Sequence, residues 1–307
     1  MRYTANGSSG RGGHTMPTYN FVKDILIPYM RECSADKRIS TQKTEICIAN
    51  HLEKHFDGML ITFADTKHKN AINGSKVREY REKRKAAGIN PLTIKRELCL
   101  ASKACNYAIS EWDFAMPNPF ARRTISDKDA RAVSSVDRKR VITQAEQSAL
   151  SLAAEPLLRE IIEFAINTGL RLGEILRLRW DQLVGDEIHF KPEQQKNGRQ
   201  GKRGMNAAAL AVVNRQPEGS PLVFTRGGKA ISKRWLQRRW EEARARANLP
   251  DVKFKDMRKT CGSRMLAAGN GRMEDVKTQL GHSDIRTTQS AYATDSIDNA
   301  KAVLNRI

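Results

Sequence analysis

An arginine between a glycine turn and a helix start is the first residue of this sequence placed to do chemistry. The stretch Asn167-Thr-Gly-Leu-Arg-Leu-Gly-Glu-Ile-Leu-Arg-Leu-Arg-Trp180 follows Leu157 to Ala165, an apolar run with helical spacing. A turn is expected at Thr168-Gly169 and a second helix from Leu172. Arg171 then lies at the turn between two packed elements, where a guanidinium can fork two hydrogen bonds onto a phosphate. Taken alone, the stretch reads equally well as a helical corner with a solvated arginine. The residues around and after it decide between these.

The charge balance favours the phosphate. In 307 residues there are 54 Lys+Arg against 34 Asp+Glu, a net +20, with 39% hydrophobic and 29% charged residues. Such an excess points to a polyanion, because binding one releases condensed counterions. Nucleic acid is expected rather than a membrane: no apolar run approaches the ~20 residues of a span, and no signal-peptide pattern opens the chain. Cys33, Cys47, Cys99, Cys105 and Cys261 are odd in number and form no CxxC pair. They read as reduced core residues of a cytoplasmic protein. His51 and His55 are four apart, but Glu53 is not adjacent to His51, so HExxH is absent and no metal is expected.

Two domains must position these groups. Residues 1–16, rich in glycine and serine, read as a flexible tail. Residues 17–122 read as a helical domain. One helix carries Phe21, Ile25, Leu26 and Tyr29, and a second follows Ser40-Thr41. A third, basic helix runs from Ser75 to Ala86, with Arg78, Arg81 and Arg84 as candidate phosphate contacts. A long fourth starts near Pro91 and ends before Pro117. Residues 123–142 read as a basic linker. The second domain, 143–307, opens on the capping box Thr143-Gln-Ala-Glu146. After the Arg171 corner the periodicity changes. Glu187 to Phe190 reads as a strand, Lys196-Asn-Gly-Arg199 as a turn and Ala207 to Val213 as the return strand, with Lys196, Arg199, Lys202 and Arg203 at a basic hairpin tip. A basic helix from about Ser232 to Ala247 turns Leu236 and Trp240 inward and offers Lys233, Arg234 and Arg238 to a groove or to phosphates. A further helix follows Lys255, and residues 297–307 read as a short amphipathic helix that docks on its own domain or on a neighbour. The fold class is mainly α with a small antiparallel β-sheet or hairpin, α+β.

In order along the second domain come Arg171, Lys196, Lys255-Asp-Met-Arg258, Leu280-Gly-His282-Ser283 and Tyr292. With Thr168-Gly-Leu-Arg-Leu-Gly-Glu174 and Leu178-Arg-Trp-Asp181, this order resembles the tyrosine recombinase (phage integrase) family over nearly the whole chain from residue 17. The first half is similar to that family's four-helix core-binding domain, which clamps DNA, and the second to its catalytic domain.

The resemblance implies a site-specific recombinase, an integrase-like enzyme of a phage or other mobile element. A tyrosine oxygen attacks a DNA phosphodiester, leaving a 3′-phosphotyrosine and a free 5′-hydroxyl; a partner strand's 5′-hydroxyl then displaces the tyrosine, so neither ATP nor another cofactor is needed. Tyr292 would be the nucleophile, and among the six tyrosines it alone lies in the second domain. Arg171 and Arg258 would clamp the phosphate oxygens more strongly in the transition state. Lys196, rather than the competing Lys202, would protonate the leaving 5′-oxygen. His282 would hydrogen-bond the phosphate, with Gly281 beside it allowing a ligand's close approach. Lys255 would assist it or take the nucleophile's proton, and Glu174 would orient the arginines. The implied partners are double-stranded DNA, three further copies in a tetramer, and an accessory DNA-bending or directionality factor, all in the cytoplasm on nucleoid DNA.

The chain departs from the pattern twice. Lys255 stands where the family usually has histidine, and a lysine is a poor base unless burial lowers its pKa. Tyr292 comes ten residues after His282, where the family usually has nine; one residue rotates a helical side chain by about 100°, so a local loop or bulge is expected. Two other readings fit the same scaffold: a type IB topoisomerase, and a catalytically inactive DNA-binding protein.

Overall fold

The computed structural model describes residues 17–62, 69–121, 140–194, 198, 200–268 and 272–292, without the side chains of residues 287 and 290–292. The expected N-terminal tail, most of the linker, Lys196, Arg199 and the C-terminal amphipathic helix lie outside the described residues. The chain divides into two compact units, residues 1–136 and 137–307.

In the first unit, Asn20 caps a turn of π-helix, Phe21–Leu26, that continues as α1 (Ile27–Glu32). Then come α2 (Ile39–Phe56), α3 (Gly74–Ala86) and α4 (Pro91–Glu111). The helices begin where local chemistry directs. Asn73 and Asn90 accept hydrogen bonds from the first free N–H groups of α3 and α4, and Pro91, which lacks an N–H, opens α4. The side chains of Phe21, Phe56, Phe120 and Tyr80 pack together with ring centroids 4.9–5.8 Å apart. Beside the helices is a two-stranded ribbon, β1 (Thr18–Asn20) antiparallel to β2 (Leu60–Thr62), which the sequence did not signal. Strands of three residues carry too little periodicity to be seen.

The second unit is built on α6 (Pro156–Thr168), preceded by α5 (Gln144–Ala153). Leu158, Ile161, Ile162, Phe164, Ala165 and Ile166 of α6 are all buried. Thr143 and Glu146 form the expected capping box. Residues 140–142, grouped with the linker by composition, are fastened to this unit: Arg140 pairs with Glu146 and Asp251, and the Ile142 N–H donates to Thr260 Oγ1 at 2.9 Å. The short α7 (Leu172–Ile175) leads to a three-stranded antiparallel sheet, β3 (Leu183–Val184), β4 (Glu187–Phe190) and β5 (Gly201–Gly204), in that order.

The return strand is therefore Gly201–Gly204. Ala207 to Val213, expected as that strand, lies in helix α8 (Ala207–Asn214). Asn206 Oδ1 caps it by accepting from the Ala209 N–H at 2.9 Å, and Ala209, Val212 and Val213 are buried at helical spacing. Lys202 and Arg203 are consequently not at a hairpin tip but within the ladder, opposite His189 and Ile188. A tight hairpin follows, β6 (Thr225–Arg226) to β7 (Lys229–Ala230), turning on Gly227 and Gly228, both at positive φ. The unit continues through α9 (Lys233–Arg246), α10 (Lys255–Ala267), α11 (Met273–Leu280) and α12 (Ile285–Tyr292). Among the described residues no helix is long and apolar enough to cross a membrane.

Candidate active site

Two helix ends meet beneath the site. Helix α6 stops at Gly169 (φ +67°) and α11 at Gly281 (φ +62°), both left-handed as a glycine cap permits. They abut so closely that a Cβ on residue 169 would overlap the Leu280 side chain and lie 3.1 Å from Cys261 Sγ. Arg258, on α10, reaches into the junction. Its Nη1 donates to Gly169 O at 2.7 Å and its Nη2 donates to Leu280 O. The C-terminal carbonyls of a helix carry partial negative charge and lack intrahelical donors, so a cation satisfies both needs. With two carbonyls on different helices holding one planar fork, the orientation of this guanidinium is set by the packing of the helices.

Arg171 is fixed differently. It caps the N-terminus of α7, where its own N–H donates to Glu174 Oε2 and its Nη1 donates to Glu174 Oε1, both at 2.8 Å. Glu174 is nearly buried, while the Arg171 side chain stays 43% exposed. One carboxylate thus closes a four-residue helix, too short to form alone, and steadies the arginine beside it. Of the arginines that Glu174 is expected to orient, it bonds Arg171.

His282 follows the left-handed Gly281. Its N–H donates to Lys277 O at 3.0 Å, and its ring Nδ1 lies 2.9 Å from the buried Thr288 Oγ1 of α12. Burial, then the positive charges of Arg258, Arg171 and Arg203, pushes the imidazole pKa down to about 4. The ring is therefore neutral at ordinary pH. The unfolded imidazole takes up its proton near pH 6.5 and the folded one only near 4, so His282 subtracts stability as pH falls through that window. An NMR titration of the ring should give a midpoint near 4; a midpoint at or above 6 would contradict this environment.

Helix α12 carries Thr288, whose hydroxyl meets the His282 ring, and residue 292 lies on the same helix.

Other expected residues are placed as follows. Lys255 opens α10, one turn before Arg258, and is exposed. Lys202 alternates with Arg203 on β5 and so lies on the opposite face of the sheet, its Nζ donating to Glu187 Oε2 at 2.9 Å. Arg203 instead faces inward. The sequence points to a basic hairpin tip for it, yet it is 7% exposed and its guanidinium fills the space beside Gly281. The close approach that Gly281 allows is thus made by a side chain of the same unit. No local signal marks Arg203, because the polar, glycine-rich run around it has no alternation. On the basic helix of the first unit, Arg78 is exposed, Arg81 lies beside Glu82, and Arg84 is committed inward to the buried Glu97 at 2.5 Å. On α9, Lys233 and Arg234 are exposed, and Arg238 pairs with Glu242 at the helix surface.

In the second unit, then, the charges of Arg258, Arg171 and Arg203 all bear on a neutral imidazole, and Glu174 faces Arg171 and Arg203. Donors fixed in advance in this way suit an oxyanion.

Residues 139–298 match the family model for the phage integrase family. A shufflon-specific DNA recombinase of Escherichia coli is 27% identical over 200 residues, covering 62% of this chain and 48% of the relative. The chain spans between a third and a half of the length of the curated relatives it matches. Among solved structures, the Tn1549 transposon integrase in complex with transposon right end DNA superposes with a TM-score of 0.70 at 19% identity, over 94% of this chain and 99% of that one. A lambda integrase tetramer bound to a Holliday junction gives 0.67 at 16%, over 89% and 79%. These structures share the fold.

Proposed function

This chain belongs to the phage integrase family, and from that premise we propose that it is a site-specific DNA recombinase that cuts and rejoins strands through a 3′-phosphotyrosine. The observation that carries this reading is the Arg258 guanidinium, held by the terminal carbonyls of two helices beside Arg171 and a neutral His282. The reaction adds negative charge to the phosphate oxygens, and donors fixed in advance stabilise it without reorganising.

In this mechanism the Tyr292 hydroxyl releases its proton, to Lys255 or to solvent water, as its oxygen attacks phosphorus and the bond to the 5′-oxygen breaks. Lys196 protonates that oxygen; Lys202, on the far face of the sheet, is unsuited to the task. Arg171 and Arg258 hold the non-bridging oxygens. Lys255, exposed at the start of α10, supplies a donor at the phosphate or takes the proton that Tyr292 releases. A 5′-hydroxyl of a second strand then reverses the step on the phosphotyrosine. The substrate is double-stranded DNA, consistent with the +20 charge. The exposed Arg78, Lys233 and Arg234 would track phosphates, as would Arg81 and Arg238 once freed from their acidic neighbours. We further propose a homotetramer on two sites, as the lambda integrase forms on a Holliday junction, working on nucleoid DNA in the cytoplasm with an accessory DNA-bending or directionality factor.

His282 can donate to a phosphate oxygen only if Nε2 carries the ring proton, which requires the Thr288 hydroxyl to donate to Nδ1. Thr288→Val should slow strand cleavage about tenfold with DNA affinity little changed, and Thr288→Ser should restore it. Equal rates for valine and serine would remove Thr288 from the account.

The function is tested with a half-site suicide duplex whose cleaved end diffuses away. The natural chain should accumulate a covalent DNA adduct and Tyr292→Phe should not. An unmodified chain on bound DNA would leave a DNA-binding protein only. Relaxation of plasmids lacking the site would instead indicate a topoisomerase.

A further inference from the structure

We propose that Arg203 is a positioning residue for the phosphate site, acting by holding the Gly281–His282 turn against the arginine pair; this rests on the recombinase reading above. Arg203 is the inward residue of β5, cross-strand from Ile188, and is 7% exposed. Its guanidinium lies against Gly281, where a Cβ would come within 2.6 Å of Cζ, and sits 5.8 Å from the centre of the Phe190 ring. It therefore occupies the hollow left by a missing side chain, directly before the histidine.

The rest of the strand is fastened to the same turn. Gln279 of α11 accepts from the Gly204 N–H and donates to Gly204 O, both at 2.9 Å, and also donates to Thr168 O at 2.8 Å. Strand β5, the end of α6 and the end of α11 are thus tied at one place, with Arg203 beneath His282.

A buried strand position does not require arginine. An apolar side chain would fill the hollow without the cost of desolvating a charge. Among the described residues no carboxylate bonds Arg203; the negative charge it feels is that of Glu174, already bonded twice to Arg171. Arg171 and Arg203 share the one charge of Glu174, and with Arg258 bearing on the same imidazole the site keeps an excess of positive charge, which suits a ligand that is an anion. Arg203 gives that excess from behind the turn, and its bulk sets how far His282 stands from the arginines.

The test uses the full chain and a half-site suicide duplex selected for binding from a random pool. Arg203→Met keeps the length and apolar contacts. It should lower the rate of adduct formation at saturating DNA about 30-fold, with the half-saturating DNA concentration changed less than about threefold. Arg203→Lys should recover most of the rate. In a His282→Ala background, Arg203→Met should add less than about threefold, because residues acting as a unit are non-additive. A full rate in Arg203→Met, or an undiminished 30-fold loss on top of His282→Ala, would overturn the proposal. NMR of the free protein separates this from the recombinase reading. Arg203→Met should shift the His282 ring signals while those of His51 and His55, in the other unit, stay in place. Unmoved His282 signals would overturn the positioning role whatever the activity. A natural chain that forms no adduct, with the His282 shift present, would overturn the recombinase reading and the catalytic part of this proposal with it.

Discussion

Replacing Arg258 with methionine should slow covalent adduct formation about a thousandfold, the range seen when a preorganised oxyanion donor is removed. Two losses combine. The phosphate loses a charged donor, and the Gly169 and Leu280 carbonyls lose the groups that donate to them. Orphaned carbonyls at buried helix ends cost about 1–3 kcal/mol each, so the variant should also melt earlier. Arg258→Lys sharpens the test. A lysine keeps the charge, but its compact ammonium cannot reproduce a planar fork spanning two helix ends. We expect it to lose about a hundredfold in single-turnover cleavage. A lysine variant within threefold of the natural rate would mean that charge alone suffices and that the two-carbonyl clamp is incidental.

The junction itself carries the second large effect. Gly169→Ala forces a non-glycine residue to φ +67° and drives a methyl group into Leu280 and towards Cys261 Sγ. The left-handed conformation costs roughly 1–2 kcal/mol and overpacking a further ~1–3. For a unit of this size, a loss of about 3 kcal/mol lowers Tm by roughly 6–12 °C. Gly185→Ala is the control. It has a similar φ, +60°, with nothing within 4 Å of the added Cβ, so only the conformational cost of about 1–2 kcal/mol applies. Equal thermal shifts in the two variants would show that the helix ends are not closely packed.

These variants also show which parts of the site could be read from sequence. The Arg171 corner was legible because its determinants are local: a glycine that ends one helix, an arginine that caps the next, and Glu174 three residues on. The helices were legible wherever an apolar stripe ran for several turns, as in α6. Ala207 to Val213 reads as a strand because a short run of alanine and valine fits strand and helix alike; Asn206, whose side chain caps the helix, is the signal to weigh. The true return strand begins and ends in glycine, which strand propensity disfavours. Arg203 and Arg84 look alike in sequence, each a cation in a basic run. Only tertiary packing turns one towards Gly281 and the other towards Glu97.

A recombinase of this kind joins Tyr292 covalently to DNA. The most direct measurement is to trap that adduct on a suicide duplex, digest it with protease and nuclease, and locate the modified residue by tandem mass spectrometry. A single peptide carrying a 3′-linked nucleotide on Tyr292 is expected. A nucleotide on any other residue, or a 5′-linked one on Tyr292, would contradict it.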